Sequence, residues 1–110
     1  MADAAHSSFV EFVQDQLAGL PRGVTVRAMF GGHGLYSGGA FFGIAYQGRL
    51  YFKTDGSTVA RYEAAGAAAF HPPKGPTVRS YYEVPADVLD DRDELVAWAE
   101  EAVEVAEAAR

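Results

Sequence analysis

Between Ala28 and Gly43 the chain reads AMFGGHGLYSGGAFFG, with six glycines in sixteen residues. Glycine loses more backbone freedom on folding than any other residue, so this density needs a structural or a chemical reason. A phosphate loop would require G-K-[ST] or G-x-G-x-x-G leading into a helix, and neither occurs here. An oxyanion hole would come with a nucleophile elbow, but the chain has no G-x-S-x-G. A metal would need partners for His33, yet His6 and His71 lack ligand spacing with it, and there is no cysteine. What remains is chain reversal. Gly31, Gly32 and Gly34 are expected to build one turn or bulge with at least one positive φ, and Gly38 and Gly39 the next.

The flanking sequence says what is being reversed. From Val24, the residues Val26, Ala28 and Phe30 alternate with Thr25, Arg27 and Met29, the period of a half-buried strand. AFFGIAYQ follows with Phe42, Ile44 and Tyr46 in alternation, and Gln47-Gly48 predicts a tight hairpin into RLYFKT. Helical spacing precedes this meander at Phe9, Val10, Val13, Leu17 and Leu20, with Ser7 or Ser8 as cap. After it, Asp55 or Ser57 caps a short helix that Gly66 ends. FHPPKGPT predicts a surface loop, SYYEV a strand, and Pro85 a helical turn. Asp91 and Glu94 have capping-box spacing before a long helix through Leu95, Trp98 and Val103. The reading is α+β, in the order α-β-β-β-α-β-(β)-α. An antiparallel sheet of about 4–5 strands carries its helices on one face.

The 110 residues predict one domain, 1–110, and 49% hydrophobic residues suffice for a single core. No signal peptide or apolar run of membrane length occurs, so the expected address is the cytoplasm, with no membrane partner. The net charge of −6 is segregated along the chain. Residues 1–21 sum to −3, residues 22–82 to +5 and residues 83–110 to −8. A solvated acidic C-terminal helix accounts for most of the acidity.

RAMFGGHGLYSGGAFFG, GRLYFKTD, RYEAAG, FHPPKG, SYYEVPADVLDD and LVAWA, in this order across residues 9 to 106, resemble the TfoX N-terminal domain family. The resemblance implies an α+β domain similar to secretion-chaperone-like folds. It also implies a setting in which longer members, with a second helical domain, regulate natural competence as transcriptional coactivators alongside the cyclic-AMP receptor protein. The chain is expected to be a stand-alone N-terminal domain, and the family offers no catalytic residues to carry over.

Strand alternation supplies the candidate surface. If Val26, Phe42, Leu50, Phe52, Tyr82 and Val84 face the helices, then Arg27, Tyr51, Lys53, Arg79 and Tyr81 face away from them. With Phe41 they form an amphipathic patch suited to a protein partner, transcription machinery by the resemblance, or to a second copy in a homodimer. The function expected is a non-catalytic regulatory or adaptor module acting through protein contacts, with no cofactor and no metal. The alternative is a weak nucleic-acid contact through the same basic and aromatic face. A third, an enzymatic or small-ligand site, would rest on His33, Tyr36 and Arg27.

Overall fold

A computed structural model describes residues 2–29 and 31–109, with side chains from residue 8 onward. The elements are α1 (Ala2–Gln16), β1 (Thr25–Met29), β2 (Gly32–Ser37), β3 (Ala40–Tyr46), β4 (Arg49–Lys53), α2 (Val59–Ala64), β5 (Ala69–Phe70), β6 (Val78–Glu83), α3 (Ala86–Leu89) and α4 (Arg92–Ala108). One antiparallel sheet runs in the order β1-β2-β3-β4-β6-β5. Six strands replace the expected four or five. The added strand before α2 is β2, inside the glycine-rich run, and β5 is a two-residue edge. Phe30, expected to end the first strand, lies outside the described residues.

All four helices lie on one face. Val13 from α1 and Leu17 just after it, Tyr62 from α2, Val88 from α3, and Leu95, Trp98 and Ala102 from α4 share one buried cluster with Leu35, Phe42, Leu50, Phe52 and Tyr82. The six residues expected to face the helices all pack in or against that cluster. Helix α1 starts at Ala2, so Ser7 and Ser8 fall inside it and do not cap it. Gln16 Nε2 donates to the Leu89 carbonyl at 3.0 Å, tying α1 to α3. Asp91 is the N-cap of α4, its side chain accepting from the Glu94 amide at 3.1 Å.

Turn chemistry follows the glycines in part. The β3–β4 hairpin reverses through Gln47 at φ 50° and Gly48 at φ 74°, the two left-handed residues of a type I′ turn. Gly31 (φ 82°), Gly38 (φ 57°) and Gly39 (φ 84°) flank β2 and reverse the chain at its two ends. Gly32 and Gly34 are not turn residues. Both are paired within β2, opposite Met29 and Arg27 of β1. A Cβ on Gly32 would sit 2.7 Å from the Ala45 carbonyl oxygen and 2.9 Å from the Tyr46 ring, so close approach accounts for this glycine.

A β-bulge sorts the side chains of β3. Leu35 pairs with Gly43 but Tyr36 pairs with Phe41, so Phe42 is an extra residue in the strand. Alternation changes phase there. Phe42 joins the helix-side core while Ile44 and Tyr46 turn to the other face, which corrects the expectation that the three share one side.

Candidate interaction surface

The face of the sheet without helices has a small core of its own. Ile44, Tyr46, Tyr51, Phe70 and Tyr81 are buried together, with Phe41 and Val78 packed against them. Phe70 is the element that closes it. Its ring meets Tyr51 edge-on at 4.9 Å and Tyr46 at 5.6 Å. The segment FHPPKGPT is therefore not surface loop throughout: Phe70 is 1% exposed and belongs to β5, and the loop proper starts at His71. Pro72, Pro73, Lys74 and Val78 line an apolar groove of about 480 Å³ beside it.

Next to this core a row of rings and cations crosses the sheet. The Arg27 guanidinium carbon lies 5.5 Å from the centroid of Tyr36, which stacks on Phe41 at 5.1 Å and 25°. Phe41 meets Tyr81 at 5.4 Å, and the Lys53 ammonium lies 5.2 Å from the Tyr81 ring. The Tyr81 hydroxyl donates to the Phe41 carbonyl at 3.2 Å, locking β6 to β3 across the end of β4. Each ring pair adds about 0.5–1.5 kcal/mol beyond its buried area and each exposed cation–π contact about 0.5–1 kcal/mol. The row is thus an ordered unit within the chain itself.

The absence of a side chain at Gly34 makes the row possible. A Cβ there would lie 3.0 Å from Met29 Sδ, 3.1 Å from the Phe41 ring and 3.2 Å from the Tyr36 ring. Gly34 is the floor on which these three side chains converge.

Burial splits the six residues expected to form the surface. Tyr51 and Tyr81 are 8% and 7% exposed, so they support the patch from beneath and do not offer their rings to a partner. Burial pushes the Tyr81 phenol up to about 12, with Tyr36 adding to the effect. Tyr51 is also raised, by burial and then by Glu83. Phe41 and Lys53 remain half-buried and Arg27 exposed. Arg79 is exposed but lies apart, lining a shallow groove with Thr54, Asp55, Gly56, Val59 and Ser80. Tyr36, half-buried, stacks within the row.

His33 does not share that face. It pairs with Ala28 and with Ala45, and Ala45 pairs with Leu50 of the helix-side core, so alternation places His33 opposite Tyr36 and Arg27. No group of three or more His, Cys, Asp or Glu side chains close enough to hold a metal occurs among the described residues. Among the described residues, no helix is long and apolar enough to cross a membrane.

The charges divide by layer. On the helix side Arg22 pairs with Glu107 at 2.6 Å, Arg61 with Glu101 at 3.0 Å and Arg92 with Asp15 at 3.4 Å. Arg49 pairs with Glu83 at 3.1 Å at the sheet. Among the described residues, Arg27, Lys53, Lys74 and Arg79 have no carboxylate within ion-pairing distance. The acidic helices α1 and α4 thus lie behind the sheet, Arg27 and Lys53 sit on its other face with Lys74 beside Phe70, and Arg79 faces a groove shared with Val59 of α2.

Comparison with known proteins matches the chain to a family and to a curated relative. The model of the TfoX N-terminal domain family matches residues 15–106. The DNA transformation protein TfoX1 of Aliivibrio fischeri (strain ATCC 700601 / ES114) is 34% identical over 80 residues, covering 71% of this chain. The chain spans 38% of that relative's length.

Proposed function

Since the chain belongs to the TfoX N-terminal domain family, we propose that it is a non-catalytic regulatory module that binds another protein through the helix-free face of its sheet. One observation carries this reading: the ordered row Arg27–Tyr36–Phe41–Tyr81–Lys53 leaves Phe41, Tyr36 and two cations accessible on a face that no helix covers. Aromatic and Arg side chains on a rigid support are the residue types that dominate protein interfaces. The name of the relative ties that protein to DNA transformation, and regulation of DNA uptake is the setting we propose for this chain.

A catalytic role has less support. Three tyrosines, Tyr51, Tyr62 and Tyr81, have raised pKa values, each from burial first, and exposed Asp55 is lowered by hydrogen bonds from Ser57. These are the signatures of packing and of a turn, with no acid–base pair set across a cleft among the described residues.

The test is a photo-crosslinking amino acid placed at Tyr36 and, as a control, at Glu104 on α4, in cells of the source organism. A discrete protein adduct from position 36 and none from position 104 supports the reading. Adducts from position 104 alone reject it.

A further inference from the structure

From the charge division between the two layers we infer the chemistry of the partner, on the premise that the helix-free face is the binding face: it docks an acidic, apolar-centred segment of another protein. Three observations combine. Of the four cations lacking ion pairs among the described residues, Arg27 and Lys53 lie on this face and Lys74 beside its buried core, whereas Arg22, Arg61 and Arg92 on the helix side are each neutralised by a carboxylate. The one acidic side chain contributed by the paired strands to this face, Glu83, is already held by Arg49 through both of its oxygens. Between the end cations the surface is apolar, formed by Phe41 and Tyr36 over the buried Tyr81.

The geometry sets a spacing. Arg27 is on β1 and Lys53 on β4, three inter-strand steps apart and two residues out of register, which amounts to roughly 16 Å at the usual strand separation and rise. A matching segment presents two carboxylates about that far apart with apolar side chains between them. In an extended peptide that is roughly five residues from acid to acid, and in a helix about eleven. Each cation now lies against a ring at one end of the row, so a carboxylate can approach from solvent without displacing an internal ion pair.

Nucleic acid fits the same charges less well. Bases stack on free ring faces, but Tyr36 is stacked by Phe41 and lies under Arg27, and Tyr81 is buried beneath Phe41 and Lys53. The acidic helical layer and a net charge of −6 oppose a polyanion at longer range. A short segment with two carboxylates meets neither obstacle.

The experiment is a selection of random peptides displayed on phage against the full chain, followed by direct binding of the enriched peptides to the chain and to Arg27→Glu/Lys53→Glu. Both substituted positions are accessible, and a thermal melt matching the parent confirms that the variant is folded. The expected result is enrichment of peptides with paired acids flanking apolar residues. Binding should weaken at least about tenfold in the double variant and fall with added salt. Enrichment of basic or neutral peptides, binding indifferent to the double reversal, or no enrichment above background would overturn the inference. So would a single-stranded oligothymidylate that binds the same face more tightly, or a self-associated chain that releases its partner copy on charge reversal. A protein adduct from position 36 that persists in the double variant would leave the protein-binding function standing and reject only the acidic partner.

Discussion

Phe70 meets the ring of Tyr51 edge-on at 4.9 Å, on the side of the sheet opposite every helix. One residue from a two-residue strand thereby gives the second face a buried core and converts half of an open sheet into a rigid support. The accessible row of Arg27, Tyr36, Phe41 and Lys53 stands beside that core. Its order follows from packing beneath it.

Removing the keystone should therefore cost stability as a core residue does. Phe70→Ala is expected to destabilise by about 3–5 kcal/mol, in the range for burying and then deleting an aromatic ring. Urea unfolding measures this. A loss below about 1 kcal/mol would mean that Phe70 does not close the second face.

Glycines should differ by their surroundings. Gly32→Ala forces a Cβ against the backbone oxygen of Ala45 and is expected to lose more than about 2 kcal/mol. Gly48→Ala meets open space at φ 74° and should lose only about 1 kcal/mol, the strain of a left-handed alanine. Equal losses in the two melts would contradict the assignment of Gly32 to close packing.

Alkaline pH tests burial of the tyrosines. The folded chain raises the phenol values of Tyr51, Tyr62 and Tyr81 above the ordinary 10.0, Tyr81 to about 12. Their contribution to stability is intact below pH 10 and is lost as pH rises through the raised values. Tyrosinate absorbance should therefore show late-titrating rings whose ionisation coincides with unfolding. If all six tyrosines ionise together near pH 10 with the fold intact, the buried clusters are wrong.

The cap of the last helix is a local test. Asp91→Ala removes the acceptor for the Glu94 amide and should cost about 1 kcal/mol, while Asp91→Asn should retain most of it. Matched losses in the two variants would point to charge and not capping as the role of Asp91.

Much of this fold could be read from the residues. Alternation at Leu50/Phe52 and Tyr82/Val84 placed those side chains correctly, because regular strands keep period two. Gln47-Gly48 and Asp91 carry turn and cap chemistry that acts locally, so neighbours in sequence suffice to show it. Three features depended on distant contacts and were not legible. Gly32 and Gly34 resemble turn residues until the Tyr46 and Phe41 rings that exclude their side chains are in place. Phe42 is an extra residue only relative to β2, so the phase change behind Ile44 and Tyr46 has no sequence mark. Phe70, two residues before a proline pair, carries no sign of the tyrosines that bury it. The candidate surface shows the same limit: Arg27, Phe41 and Lys53 emerge from alternation, but burial of Tyr51 and Tyr81 depends on Phe70.

The central claim is that the helix-free face, not the acidic helical layer, is where this chain meets its partner. Amide hydrogen exchange of the chain alone and with the protein captured from position 36 measures this most directly. Slowed exchange is expected along β1, β2 and the first half of β3, with α1 and α4 unchanged. Protection confined to α1 and α4, with β1 to β3 exchanging as in the free chain, would contradict it.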